Sequence, residues 1–211
     1  MILSAENWGI EMRRFCILFL LLPLLLVGCS SRFTTAEGGY LDGKTDKVYQ
    51  PLSEAFKAVS YGEEVGVWES KVYEDSMTFY EIPGADKGRF LTDDKGNVYC
   101  ADKTVPDAAG WSVQTIYVCD ESAISMAVGE ITSAEVISQI RTLWHEGAQA
   151  ELPIDDIAAS RRLKMVSDDC PGIYYCVLYY LYEDGSAYFY DRFERRVVLV
   201  GKDLVNKIPI T

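Results

Sequence analysis

One histidine and three pairs of adjacent aspartates are the side chains in this sequence best suited to acid–base chemistry. His145 comes at the end of a predicted helix, where a cation favourably meets the last backbone carbonyls, so we expect a structural role for it. The acidic pairs are Asp93-Asp94, Asp155-Asp156 and Asp168-Asp169. Glycoside hydrolysis needs two carboxylates roughly 5 to 9 Å apart across a cleft, whereas aspartates between strands are typical of solvated turns. We favour the turns and keep acid catalysis as the alternative.

Motifs of other catalytic or metal centres are missing from the sequence. It contains neither G-x-S-x-G nor H-E-x-x-H, and no C-x-x-C spacing. It also lacks an Asp-x-Asp-x-Asp-Gly calcium loop and a glycine-rich phosphate loop that follows a strand and opens a helix. We therefore predict no catalytic residues, no metal site and no cofactor.

Tyrosine is concentrated in one segment near the C-terminus. Of the 14 tyrosines, seven fall in a single predicted hairpin: Tyr174, Tyr175, Tyr179, Tyr180, Tyr182, Tyr188 and Tyr190. Most are expected to build the core and the cross-strand pairs of a sheet. The remainder can form an outward contact patch, because tyrosine offers a large amphipathic area at low entropic cost. Tyr179, Tyr182, Tyr188 and Tyr190 are the candidates for this patch, which would accept a protein or a glycan ligand.

The N-terminal segment has the pattern of an export signal. Residues 15–27 form a nearly unbroken apolar run after Arg13 and Arg14. A helix of about 13 residues spans roughly 20 Å, which is short of the roughly 30 Å hydrocarbon core but within the range of a signal peptide. The run ends in Leu26-Val27-Gly28-Cys29. These four residues resemble the lipobox of bacterial lipoproteins.

The resemblance implies that Cys29 carries diacylglyceryl and further acyl chains, palmitate among them, and that a peptidase cuts just before it. Two or three acyl chains hold a protein stably at a membrane. We therefore expect anchoring to the cell membrane through the N-terminal lipid, on the extracytoplasmic face. Because Glu6 and Glu11 place negative charge where an export signal is positive, we also expect translation to start at Met12.

The remaining cysteines suggest disulfide bonds. If Cys16 leaves with the signal and Cys29 is lipidated, four are left: Cys100, Cys119, Cys170 and Cys176. An even number outside the cytoplasm favours disulfides. Of the three possible pairings we favour Cys100 with Cys119 and Cys170 with Cys176, and buried reduced thiols are the alternative.

Length and charge narrow the class of protein further. The chain has 211 residues and a formal net charge of -12, with 49% hydrophobic residues. This is the size of one ordinary domain and is too hydrophobic for intrinsic disorder. The negative charge repels polyanions, so we predict no nucleic-acid partner.

The secondary-structure signals describe a strand-rich chain with few helices. Thr132 and Glu135 form a predicted capping box for a helix over 133–145, which Gly147 ends. A short helix is predicted from Leu52 to Val59. Strands are predicted near 65–69, 71–82, 88–92, 97–101, 112–119, 122–129, 161–167, 173–183, 185–191 and 196–200. The run 173–182 is apolar or aromatic throughout, which indicates a central strand covered on both faces.

Together these patterns predict an α+β fold, with an antiparallel β-sheet meander and one or two helices packed on one face. Residues 1–28 form the signal peptide, 29–47 the lipidated cysteine and a flexible tether, and 48–211 a single extracytoplasmic domain. We interpret the protein as a membrane-anchored envelope lipoprotein with a non-enzymatic binding or interaction domain. The alternative is an acid-catalysed envelope hydrolase that acts on glycan through paired Asp or Glu residues.

Overall fold

The structure, a computed structural model, describes residues 31–70, 72–102, 106–122, 126–154, 156–192 and 194–209. They form a barrel followed by a second sheet. The barrel strands are β1 (Ser31–Ala36), β2 (Gly39–Asp42), β3 (Lys47–Pro51), β5 (Glu64–Glu69), β6 (Ser76–Glu81), β7 (Phe90–Thr92) and β8 (Val98–Cys100). The second sheet contains β4 (Phe56–Ala58), β9 (Val113–Asp120), β10 (Ala127–Ile131), β11 (Ile157–Ser167), β12 (Ile173–Tyr182), β13 (Ala187–Asp191) and β14 (Arg196–Val200). The helices are α1 (Ala134–Glu146) and α2 (Lys202–Val205), with a 3-10 turn at Ala108–Gly110.

The first half of the chain closes into a seven-stranded barrel in the order β1-β2-β3-β8-β7-β6-β5. Closure comes from a parallel pairing in which Phe33 of β1 lies opposite Trp68 of β5. Aromatic rings fill the interior, and Phe33 and Phe79 lie 4.4 Å apart between ring centroids. The barrel therefore has its own small core, which packs side chains rather than enclosing a channel.

The predicted flexible tether is wrong for the residues that the structure describes. Within 29–47, β1 and β2 form an antiparallel hairpin that pairs Ala36 with Gly39. The interior rings of Phe33 and Tyr40 hold this hairpin in the barrel. Gly39 is required there, because a Cβ atom would lie 2.2 Å from the backbone oxygen of Tyr49.

The predicted fold class is also wrong. The second half forms a separate sheet in the order β10-β9-β11-β12-β13-β14, with β4 added to β12. The chain is thus mainly β, with a closed barrel and a second sheet instead of one meander. The error arose because the four strands before residue 60 are short, and nothing local in their sequence indicates closure.

Other elements agree with the sequence in part. Each of the ten strands predicted from residue 65 onward overlaps an observed strand. The predicted helix near residue 133 is confirmed, although Ser133 rather than Thr132 is its N-cap. The predicted helix from Leu52 to Val59 is wrong, because that segment turns at Ser53 and then adds β4 to the edge of β12. No helix among the described residues is long and apolar enough to cross a membrane.

Helix α1 covers one face of the second sheet. Val136, Ile137, Ile140 and Trp144 are its buried residues, and the Trp144 indole N–H donates to the Tyr175 hydroxyl at 3.2 Å. The same core continues into the barrel through Phe90, Val98 and Cys100. The larger core therefore extends from the second sheet to barrel strands, beside the barrel's own small core, and no helix of the described residues covers the face of the sheet opposite α1.

Candidate functional site

The second sheet has two chemically different faces, because side chains alternate along each strand. Leu163 and Met165 of β11 and Val177 of β12 point into the core beneath α1. We call the opposite side the open face. Cross-strand register assigns to it Tyr117, Cys119, Arg162, Lys164, Tyr174, Cys176, Leu178, Tyr180, Tyr188 and Tyr190.

A fork in the strand pairing opens a crevice beside this face. One edge of β12 pairs with β4 up to Tyr175 opposite Phe56, and with β13 from Leu178 opposite Tyr190. Between them, the Cys176 backbone N–H donates to the Ala55 oxygen at 2.8 Å. Because β4 and β13 diverge here, a cavity of about 330 Å³ remains.

We call this cavity the fork crevice. The lining side chains that matter for recognition are Lys57, Glu121, Arg162, Cys176, Tyr180 and Tyr190. Its volume is at the lower end of ligand cavities, which span roughly 300 to 1,000 Å³. The crevice is therefore large enough for one small polar molecule or one unit of a polymer.

Two cations of the crevice differ in how they are paired. The Nε atom of Arg162 is buried and has no hydrogen-bond partner among the described residues. The Lys57 ammonium donates to the Asn97 Oδ1 atom. Burial lowers the pKa of Lys57, and the neighbouring Arg162 lowers it further, while Glu54 opposes the shift. Arg162 thus differs from Lys57 in having a buried donor that no described residue accepts.

The Cys176 thiol lies among cations but does not behave as a nucleophile. Burial raises the pKa of this thiol to about 12, although Arg162, Lys164 and Lys57 act in the opposite direction. Since a thiolate is the reactive form, Cys176 remains protonated near neutral pH. Three cations surround this thiol, so this part of the crevice favours an anion.

Acidic side chains also line the crevice. Glu54 is exposed and acts on Lys57, whereas Glu121 acts on Tyr180, whose pKa burial raises. Asp191 accepts a hydrogen bond from the Glu194 backbone N–H at 3.1 Å. The lining therefore combines cations around Cys176 with carboxylate acceptors elsewhere.

The structure separates the four tyrosines of the predicted patch. Tyr179 is wrong as a contact residue, because it is 0% exposed and lies in the core under α1. Tyr182 is only 3% exposed and meets the Tyr188 ring edge-on at 5.6 Å. Tyr188 and Tyr190 are half-buried on the open face.

Sequence reasoning missed Lys57, Arg162, Lys164 and Tyr180. The signal for two of them was present, since Arg162 and Lys164 alternate with the apolar Leu163 and Met165 along β11. That alternation indicates a strand with one face away from the core. Lys57 had no local signal, because its strand β4 pairs with β12, which lies more than a hundred residues later in the chain.

The predicted disulfides are wrong, since all four cysteines are free thiols. Cys100 belongs to a barrel strand and lies opposite Gln50 and Phe90. Cys119 belongs to the second sheet and lies opposite Arg162. The fold places them in different sheets, whereas the sequence prediction treated their strands as neighbours. Burial raises the pKa of Cys170 to about 11, which keeps that thiol unreactive as well.

His145 has a different environment from the predicted one. The Arg196 guanidinium caps the end of α1. It donates hydrogen bonds to the backbone oxygens of Trp144 at 2.7 Å, His145 at 3.1 Å and Gly147 at 3.2 Å. His145 lines a second cavity of about 340 Å³ together with Asp107. Burial lowers the pKa of His145, so the ring is neutral at pH 7 and Arg196 supplies the helix-capping charge.

The described acidic pairs participate in turns. Asp93 accepts backbone N–H bonds from Lys95 at 2.9 Å and from Asn97 at 2.8 Å. Asp169 accepts from the Ser112 backbone and the Ser167 hydroxyl, and the Ser112 bond lowers its pKa. Asp155 lies outside the described residues. No group of three or more His, Cys, Asp or Glu side chains within the described ranges is suited to a metal ion.

Comparison with protein-family models, with curated proteins and with solved structures finds no match for this chain.

Proposed function

We propose that this protein is a lipid-anchored extracytoplasmic binding protein that contacts another envelope molecule through the open face. The observation that carries the proposal is the composition of this face. Half-buried Tyr117, Tyr180, Tyr188 and Tyr190 surround the cations Arg162 and Lys164 on the side of the sheet that α1 leaves uncovered. Tyrosine and arginine are the residues most enriched where proteins bind partners.

The sheet provides a rigid platform for these side chains. The Tyr180 and Tyr190 rings lie 5.9 Å apart between centroids, and the Lys164 ammonium lies 4.3 Å above the Tyr174 ring. Their strands are central, since β11 and β12 each pair along most of their length with strands on both sides. Such a surface loses little conformational entropy when a ligand docks.

Binding is better supported than catalysis for the site residues. The cysteine thiols are buried and protonated at neutral pH, which disfavours a covalent mechanism. Asp93 and Asp169 accept hydrogen bonds from turn backbones, which gives both carboxylates a structural task. Asp93 and Asp169, each from one of the acidic pairs that an acid hydrolase was expected to use, are therefore engaged in turns.

The anchoring part of the proposal is supported by the sequence alone. The apolar run, the lipobox-like residues Leu26 to Cys29 and the expected cleavage site lie outside the described residues. Because β1 begins at Ser31, a lipid on Cys29 would leave only about two residues, roughly 7 Å of chain, before the barrel. Such an anchor would hold the barrel at the membrane surface.

Photocrosslinking in intact cells tests the proposed function. A photoreactive amino acid replaces Tyr188 on the open face or, as the control, Thr142, which is exposed on α1 at the other side of the sheet. We expect one discrete adduct from position 188 that disappears when Tyr180→Ala removes its cross-strand neighbour, and none from position 142. Equal adducts at both positions, or none at position 188, would overturn the proposal.

A further inference from the structure

The fork crevice is lined by Arg162, a half-buried cation whose Nε atom is buried without a hydrogen-bond partner among the described residues. A guanidinium Nε–H that is removed from water and lacks an acceptor carries a desolvation penalty with nothing to offset it. Arg162 is in this position, although Glu121 also lines the crevice. No hydrogen bond or ion pair to a described residue engages the Arg162 guanidinium, so an acceptor from outside the chain can bind it in the crevice.

The surroundings of Arg162 specify the charge of that group. Arg162, Lys164 and Lys57 all act on the Cys176 thiol as positive charges. Their positive charge contrasts with a chain whose formal net charge is -12. An arginine fork matches the two oxygens of a carboxylate, whereas a hydrated ammonium matches them less well.

The remaining lining residues specify what accompanies the anion. Glu54, Glu121 and Asp191 are hydrogen-bond acceptors that repel a second anionic group but accept hydroxyl donors. Tyr180 and Tyr190 add ring faces and hydroxyls at the same opening. These three carboxylates outnumber Arg192, the other cation of this part of the lining, so a second anionic group would meet net repulsion, whereas hydroxyls would find acceptors.

We propose that the fork crevice binds the carboxylate of an acidic sugar, with Arg162 as the residue that receives it. Lys57 adds positive charge, and the acidic side chains of the lining accept the sugar hydroxyls. The cavity of about 330 Å³ holds one sugar unit. This inference rests on the proposed binding function and names the ligand chemistry of the same face.

The test uses the full-length protein in detergent micelles and follows the Nε–Hε NMR signal of Arg162, which is assigned by its loss in Arg162→Lys. The probe is D-glucuronate, with D-glucose as the neutral sugar and acetate as the carboxylate without hydroxyls. We expect glucuronate to shift the signal in a saturable manner, glucose to leave it unchanged, and acetate to require at least about tenfold higher concentration.

Two variants test the assignment to Arg162. Arg162→Lys keeps the charge but loses the fork, and should weaken glucuronate binding about tenfold or more, as followed by the Tyr signals. Lys202→Gln removes an exposed charge at the start of α2, and should leave the affinity within about twofold of the original. If Arg162→Lys unfolds, glucuronate binding is measured with Lys57→Gln instead.

The outcomes separate this inference from the proposed function. An unshifted Arg162 signal with glucuronate, or an equal shift with glucose, overturns the acidic-sugar site. An equal shift with acetate at the same concentration assigns a simple anion site and overturns the part played by the hydroxyls. If the Tyr188 adduct persists in either case, the open face still binds a partner, whereas loss of that adduct removes the proposed function itself.

Discussion

At the scale of single residues, two adjacent aspartates have opposite environments. Asp93 is 2% exposed and accepts bonds from the backbones of Lys95 and Asn97, from the Asn97 amide and from the Tyr99 hydroxyl. Asp94 follows it directly and is exposed. The first carboxylate therefore organises the turn between β7 and β8, and the second is directed towards solvent.

The difference between Asp93 and Asp94 predicts a large difference in stability effects. Asp93→Ala leaves four donors without their acceptor, so we expect the free energy of unfolding to fall by about 3 kcal/mol. Asp94→Ala removes an exposed side chain and should change it by less than about 0.5 kcal/mol. Urea unfolding of both variants checks this, and an equal loss in the two would contradict the structural role of Asp93.

At the scale of elements, the start of α1 is set by one hydroxyl. The Ser133 Oγ atom accepts from the Val136 backbone N–H at 3.5 Å, and Thr132 makes no such bond among the contacts of the cap. Ser133→Ala should therefore lower the free energy of unfolding by about 1 kcal/mol, while Thr132→Ala should cost only a few tenths. Thermal unfolding of the two variants decides between Ser133 and Thr132, and a larger loss for Thr132→Ala would restore the predicted capping box.

Elements with a strong local signal could be predicted, and those defined by distant partners could not. The turn at Gly185, where φ is +81°, follows from the pair Asp184-Gly185, and the end of α1 follows from Gly147. The barrel depends instead on β1 pairing in parallel with β5, about thirty residues later. Nothing in the few residues of either strand specifies that pairing, because parallel partners are joined by long connections.

The candidate site illustrates the same limit. The tyrosine-rich hairpin was recognisable, but the run 173–182 has no polar alternation, so its outward members could not be separated from its core members. Register assigns Tyr180 and Tyr190 to the open face and Tyr179 to the core. The fork crevice exists only because β4, more than a hundred residues earlier in the chain, joins the same edge of β12 that pairs with β13.

At the scale of the whole molecule, the proposed anchor and the proposed binding face belong to different sheets. The N-terminal segment leads directly into β1 of the barrel, and the open face belongs to the second sheet. The two parts are joined by the larger core, in which Phe90 and Val98 of the barrel pack with residues of the sheet. If Cys29 is acylated, the barrel is the membrane-proximal part and acts as the spacer that the predicted tether was expected to provide.

Acylation of Cys29 is the premise on which this arrangement depends. In cells that grow with an alkyne-labelled fatty acid, we expect the native chain to carry the label and Cys29→Ser to lose it. Cys16→Ser is the matched control, because Cys16 lies in the segment expected to be removed and its substitution should leave labelling intact. Two or three acyl chains give stable attachment, so the labelled chain should sediment with membranes at high salt. Label retained in Cys29→Ser would mean that the lipobox resemblance is misleading, and the barrel would then have no reason to face a membrane.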